Sequence, residues 1–100
     1  MHLNRPISDL LARSKPALSI EFFPPKDEAG GKRIVRVARQ MQKFLKPDFV
    51  SITYGAGGTT QERTLQYAKI LKEDLGFEVM PHLTCVGACS KELIDLVKKY

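Results

Sequence analysis

Three short segments of the chain alternate apolar and polar residues with a period of two, which is the spacing of side chains on the two faces of a β-strand. They lie at residues 18–22, 49–54 and 78–85. Successive segments are separated by roughly 30 residues, the length of a strand, a crossover helix and two loops. The pattern predicts an α/β fold of three βα units with parallel strands. The units are residues 18–46, 47–77 and 78–100.

The first predicted helix is strongly amphipathic. Its apolar positions are Ile34, Ala38, Met41 and Leu45, and the basic positions on the opposite face are Lys32, Arg36, Arg39 and Lys43. Asp27 and Glu28 suit the positive N-terminal end of a helix. Gly30 and Gly31 leave the conformation of its first turn open, and Pro47 ends the helix.

Capping signals bound the second helix, at residues 61–75. Thr59 with Glu62 fits a capping box, and Gly76 fits a C-terminal stop. The predicted buried stripe of this helix is Leu65, Ala68, Leu71 and Leu75.

Two shorter helices complete the pattern. Ser90 is the predicted N-cap of the last helix, and Ser8 that of a lead-in helix within residues 1–17. The predicted apolar side of the last helix is Leu93, Ile94 and Val97.

Composition indicates one small domain, since the chain has 100 residues with 43% hydrophobic content. No apolar run approaches the roughly 20 residues that a membrane-spanning helix needs. The first residues lack the continuous apolar segment of a signal peptide. We therefore expect a cytoplasmic protein with no membrane partner.

The formal net charge of +5 raises the possibility of a nucleic-acid-binding module. Residues 32–46 contain six basic residues and no acidic one, so this one stretch accounts for the excess. No aromatic residues of a base-stacking surface are interleaved with these charges. A solvated outer helix face explains them more simply, and we expect no nucleic-acid partner.

Cys85 and Cys89 are four residues apart, and only His82 lies near enough in sequence to suggest a metal cluster with them. A structural zinc site usually has four ligands in paired spacings, so we predict no metal site. Alternation along the third strand instead predicts that Cys85 is a reduced thiol packed on the apolar side.

Each predicted strand carries two polar residues on one face near its C-terminal end. The pairs are Ser19 and Glu21, Ser51 and Thr53, and His82 and Thr84. Glu21 stands out, because an unpaired carboxylate buried in an apolar strand costs several kcal/mol. A carboxylate paired with a lysine or arginine is the structural alternative to a catalytic one. Ser51 and Thr84 are interpreted as interior packing and hydrogen-bonding residues.

The second strand runs into a glycine-rich turn at residues 55–60, directly before a helix. Such a turn lets a ligand approach free backbone N–H groups, although a strand-to-helix turn also needs glycine for its own geometry. The pattern is neither GxGxxG nor a P-loop. From these residues alone, ligand binding and simple turn geometry both remain open.

Two architectures accommodate three βα units: a small open α/β domain, or the N-terminal portion of a (β/α)8 TIM-type barrel. A three-strand piece alone leaves two strand edges and a polar face uncovered. We therefore expect a lead-in helix and the first three units of a longer barrel.

Three motifs together resemble the start of the 5,10-methylenetetrahydrofolate reductase family, over residues 18–100. They are SIEFFPPK at 19–26, FVSITYGAGGTT at 49–60 and PHLTC at 81–85. The resemblance implies a flavoprotein with a (β/α)8 barrel. It further implies FAD as cofactor, NADH or NADPH as reductant, a folate substrate and a homo-oligomer.

The same resemblance assigns roles to five residues. Glu21 matches the acid that assists opening of the folate's five-membered ring. Thr53, Tyr54, Ala56 and His82 match positions that contact the flavin. Without the resemblance, the simpler interpretation of His82 is a core histidine whose ring nitrogens have hydrogen-bond partners. Later motifs of the family follow the fourth strand, so we expect the 100-residue piece alone to be inactive. A barrel fragment with a purely structural role is the alternative.

Overall fold

The structure is a computed structural model that describes residues 6–54, 61–85 and 88–100. The helices are α1 (Ile7–Leu11), α2 (Glu28–Phe44), α3 (Gln61–Lys69) and α4 (Ser90–Lys99), and the strands are β1 (Ser19–Phe22), β2 (Phe49–Ile52) and β3 (Val79–Pro81). A π-helical segment, Ile70–Asp74, continues directly from α3.

The three strands form one parallel sheet in the order β1-β2-β3. Each strand is followed by a helix, so the predicted α/β fold with parallel strands is confirmed. In the register, Glu21 lies beside Ser51, and Ser51 lies beside Met80. The carboxyl ends of the strands therefore meet at one edge of the sheet.

One face of the sheet is covered by α2 and α3, and the core lies between them. Its buried strand residues are Phe22, Val50 and Ile52, and its buried helical residues are Ile34, Ala38, Ala68 and Leu71. These strand residues have the alternation that the sequence predicted. The predicted stripe of α3 is also found, with Leu75 buried and Leu65 half-buried.

Helix α2 begins at an acidic cap. Asp27 is the N-cap residue, and its Oδ1 accepts a hydrogen bond from the Gly30 N–H at 2.7 Å. Both Gly30 and Gly31 are helical, which settles the open question of the first turn. The basic residues Lys32, Arg36, Arg39 and Lys43 are exposed, as the amphipathic pattern predicts.

The predicted stop of the second helix is confirmed at Gly76, whose φ of 82° lies in the left-handed region that favours glycine. The π-helical segment was not predicted, because the spacing of apolar residues does not distinguish a single π-helical turn from an α-helical one. Thr59, and with it the predicted capping box, lies outside the described residues.

Two predicted caps are wrong by one or two residues. Pro6, not Ser8, precedes the first helical residue of α1, and Cys89, not Ser90, is the N-cap of α4. The predicted apolar side of α4 is also partly wrong. Leu96 is buried, whereas Ile94 and Val97 are more than half exposed, so the buried side of α4 is rotated from the predicted one.

The third strand is shorter than predicted, and it ends at Pro81 rather than near Cys85. Proline has no N–H to donate to a ladder, so pairing weakens where it occurs. The alternation therefore does not continue to Cys85, whose thiol is free and exposed. The prediction of a buried Cys85 was wrong for this reason.

Asp48 links the α1 region to the amino-terminal end of the sheet, because it directly precedes β2. The Asp48 carboxylate forms an ion pair with Arg13 and accepts a hydrogen bond from the Leu18 N–H at 2.8 Å. Leu10, in α1, is 2% exposed. Within the described ranges, no helix is both long enough and apolar enough to cross a membrane.

Candidate active site

Glu21 and Ser51 are side by side at the carboxyl edge of the sheet. Strand register places them as neighbours, and the Ser51 hydroxyl donates a hydrogen bond of 3.4 Å to Glu21 Oε1. Ser51 is 6% exposed. The Glu21 side chain is 51% exposed, so it avoids the burial cost that first drew attention to it. Its carboxyl lies on the sheet face opposite Phe22 and Ile52, where water or a ligand can reach it.

His82, directly after β3, approaches the same carboxyl. Its Nε2 lies 3.7 Å from Glu21 Oε1, and its side chain is 40% exposed. The backbone N–H of His82 donates to the Ile52 carbonyl at 2.9 Å, which extends the ladder one residue past Pro81. A backbone bond therefore fixes the position of this histidine at the sheet edge, although its side chain is not a buried core group.

Thr53 follows β2 directly and is held from both sides. Its N–H donates to the Phe22 carbonyl at 2.9 Å, and its carbonyl accepts a 2.9 Å hydrogen bond from the Thr64 hydroxyl. Thr64 is fully buried in α3. Sequence reasoning missed Thr64, although its spacing from Ala68 and Leu71 is that of the buried helical stripe.

Tyr54 and Tyr100 lie close to the same edge. Burial raises the pKa of Tyr54. Burial, and then proximity to Tyr54, raises the pKa of Tyr100. The Tyr100 hydroxyl also donates to the His82 carbonyl at 2.9 Å. Both phenols are therefore neutral near pH 7, since the ordinary tyrosine pKa is already 10.0. No sequence signal marked Tyr100, because its contact depends on the position of α4.

The structure thus brings together Glu21, Ser51 and His82, with Thr53 and Tyr54 following the adjacent strand. Ala56 and the glycine-rich turn lie outside the described residues. Within the part of the chain that is described, Glu21 has no lysine or arginine partner within 4.0 Å, unlike the structural alternative. In those same ranges, no group of three potential ligands could hold a metal ion.

The fold defines a class: α/β proteins with a parallel sheet, in which ligands are generally bound at the carboxyl ends of the strands. The chain belongs to the methylenetetrahydrofolate reductase family, because the family model described as Methylenetetrahydrofolate reductase matches residues 6–100.

Curated relatives agree with this assignment. The chain is 36% identical over 98 residues to the 5,10-methylenetetrahydrofolate reductase of Pectobacterium carotovorum, a match that covers 98% of this chain and 32% of that protein. It is 39% identical over 83 residues to the enzyme of the same name from Salmonella typhimurium, covering 83% of this chain and 28% of that protein. An Arabidopsis thaliana relative named Methylenetetrahydrofolate reductase (NADH) 1 is 37% identical over 83 residues, covering 81% of this chain and 14% of that protein. The chain spans about a third or less of these relatives.

Proposed function

We propose that this chain is the N-terminal part of a 5,10-methylenetetrahydrofolate reductase, a (β/α)8-barrel enzyme of one-carbon metabolism and methionine supply. The reaction reduces 5,10-methylenetetrahydrofolate to 5-methyltetrahydrofolate with electrons from NADH or NADPH. Family membership supports the reaction. The observation that carries the site assignment is the Glu21 carboxyl beside Ser51 and His82 at the carboxyl edge.

Glu21 is the proposed general acid. A general acid must be held in place, reach the substrate and recover its proton between turnovers. The Glu21 carboxyl contacts Ser51 and His82, and half of its side chain remains exposed. Protonation of the folate by this carboxyl opens the five-membered ring and leaves an electrophilic iminium carbon that can accept a hydride.

The described residues suit a flavin. Thr53, Tyr54 and His82 offer hydrogen-bonding groups without a permanent charge, and burial raises the pKa of Tyr54 further above neutral pH. We propose that they contact FAD together with Ala56, which lies outside the described residues. Bound FAD would supply the hydride chemistry, so none of these side chains needs to be redox-active.

The remaining expectations concern the longer protein. We infer a homo-oligomeric, cytoplasmic enzyme with the complete FAD and folate sites built from further βα units. The three strands described here form an open sheet in which β1 and β3 each have an unpaired edge, and the Glu21 side chain is half exposed. We therefore expect the isolated 100-residue chain to bind flavin weakly and to be inactive.

The decisive test is Glu21→Gln in the full-length protein, followed by stopped-flow flavin absorbance in each half-reaction. Glutamine preserves shape and hydrogen bonding but removes the transferable proton. Folate reduction should slow by about 10² to 10⁴, the usual effect of a positioned general acid. Flavin reduction by the nicotinamide needs no such acid and should remain close to wild type.

Equal losses in both half-reactions would show that Glu21 supports the barrel or the flavin rather than acting as the acid. A purified full-length protein that is colourless, and that stays colourless after incubation with FAD, would refute the flavoprotein assignment itself.

A further inference from the structure

Ser51 has so far been given only a packing and hydrogen-bonding role, yet its place in the sheet is tightly defined. It is the register neighbour of Glu21 on β2, and it is 6% exposed. Its flanking residues Val50 and Ile52 are fully buried on the opposite face. The strand therefore has little freedom to move Ser51 away from the carboxyl.

Both contacts to the Glu21 carboxyl fall on the same oxygen. The Ser51 hydroxyl donates to Oε1 at 3.4 Å, and His82 Nε2 lies 3.7 Å from Oε1. Among the described residues, neither contact involves Oε2. In a protonated carboxyl, the carbonyl oxygen has two lone pairs that accept hydrogen bonds, whereas the hydroxyl oxygen carries the proton. The Ser51 donor on Oε1 therefore favours the proton on Oε2.

We propose that Ser51 is a positioning residue that holds Glu21 Oε1 as an acceptor and so directs the acidic proton, on Oε2, toward the substrate. This inference rests on the proposed function of Glu21. In the step, the Oε2–H bond breaks, the proton passes to a ring nitrogen of the folate, and the electron pair stays on Oε2. The resulting carboxylate keeps its Ser51 hydrogen bond and recovers a proton from water, to which half of the side chain is exposed.

Ser51 serves this role better than His82 does. The His82 side chain is 40% exposed, so water competes for its Nε2. Ser51 is 6% exposed, so water competes much less for its hydroxyl. Donors to an ionised group are the stronger hydrogen bonds, so the loss of this one should be measurable.

The experiment compares four variants of the full-length protein with wild type: Ser51→Ala, Ser51→Thr, Glu21→Gln and the double variant Ser51→Ala with Glu21→Gln. Ser19→Ala is the matched control, because Ser19 lies on the same face of β1 and is exposed. Stopped-flow absorbance of the flavin measures each half-reaction separately.

Ser51→Ala should slow the folate half-reaction about tenfold, the effect of one charge-assisted hydrogen bond. It should leave flavin reduction by the nicotinamide within about twofold of wild type, a split that a structural role would not produce. Ser51→Thr keeps the hydroxyl and should restore most of the rate, and Ser19→Ala should change nothing. In the Glu21→Gln background, Ser51→Ala should cause no further loss, because the two residues act as one unit.

The inference is wrong if Ser51→Ala reduces folate at the wild-type rate, or if it slows both half-reactions equally. It is also wrong if Ser51→Ala slows folate reduction as much in the Glu21→Gln background as in wild type. If Ser51→Ala does not retain flavin, Ser51→Cys takes its place, since its thiol is a weak donor of similar size, and the same tenfold loss is required. The two proposals fail differently. A selective Glu21→Gln defect with a normal Ser51→Ala enzyme refutes only the role of Ser51, whereas a non-selective Glu21→Gln defect refutes the proposed acid.

Discussion

The Thr64 hydroxyl donates a 2.9 Å hydrogen bond to the carbonyl of Thr53, and this bond joins helix α3 to the carboxyl end of β2. Thr64 is fully buried, and Thr53 is one of the proposed flavin contacts. A side chain that sequence reasoning did not single out thus fixes the backbone on which part of the site is built.

Replacement of Thr64 by valine should destabilise the full-length protein by about 1 to 3 kcal/mol, because the shape is kept while a buried acceptor loses its donor. Flavin affinity should also fall severalfold, since the backbone at Thr53 is no longer fixed. Urea unfolding and fluorescence titration with FAD measure the two effects. Thr64→Ser keeps the hydroxyl and is the control. A valine variant with wild-type stability and affinity would show that the bond has no structural role.

Gly31 permits the close approach of α2 and Tyr67. A Cβ at position 31 would lie 1.9 Å from the Tyr67 Oη and 3.0 Å from its Cζ. Alanine favours a helix over glycine by about 1 kcal/mol, but the clash should dominate, with a net loss of about 1 to 3 kcal/mol in the free energy of unfolding.

The double variant Gly31→Ala with Tyr67→Phe removes the clashing oxygen and should recover much of this loss. Thermal unfolding of both variants and of Tyr67→Phe alone tests the coupling. Additive effects of the two substitutions would contradict a direct clash.

Asp48 makes stability depend on acidic pH. The hydrogen bond from the Leu18 N–H, followed by the contact with Arg13, lowers the pKa of Asp48 below its ordinary value of 3.8. The folded state therefore binds this proton less readily than the unfolded state does. The stabilisation is complete above about pH 4 and is lost as pH falls through the lowered pKa of the folded state.

Asp48→Asn should reduce the fall in urea midpoint between about pH 5 and about pH 2.5, since asparagine does not titrate. Asp74→Asn, at an exposed position of the π-helical segment, is the control and should preserve the wild-type profile. An Asp48→Asn protein with an unchanged profile would show that other carboxyl groups cause the acid sensitivity.

The exposed basic face of α2 should give at most non-specific nucleic-acid binding. Four phosphate contacts from Lys32, Arg36, Arg39 and Lys43 would lose about 100-fold in affinity as salt rises from about 50 to about 200 mM. Fluorescence anisotropy with DNA of two unrelated sequences measures this dependence. Charge reversal at Arg36 and Arg39 should abolish the residual binding. Sequence-selective binding that survives high salt would contradict the prediction.

The sequence by itself determined the features that depend on local pattern. Period-two alternation placed Glu21 and Ser51 on the face opposite Phe22 and Ile52, because each residue of a strand reverses side-chain direction. The glycine at position 76 marked the end of a helix, because its positive φ is costly for other residues. Both features follow from covalent geometry and short-range sterics.

Tertiary structure alone decided which groups meet. The partners of Glu21 are Ser51 and His82 among the described residues, and these contacts depend on the register between separate strands. The exposure of Cys85 depends on where pairing with β2 stops, and the burial of Leu96 in place of Val97 depends on the rotation of α4 against its neighbours. Strand register and helix rotation are set by the free energy of packing over the whole core. A periodic pattern along one segment contains no information about the other segments that pack against it.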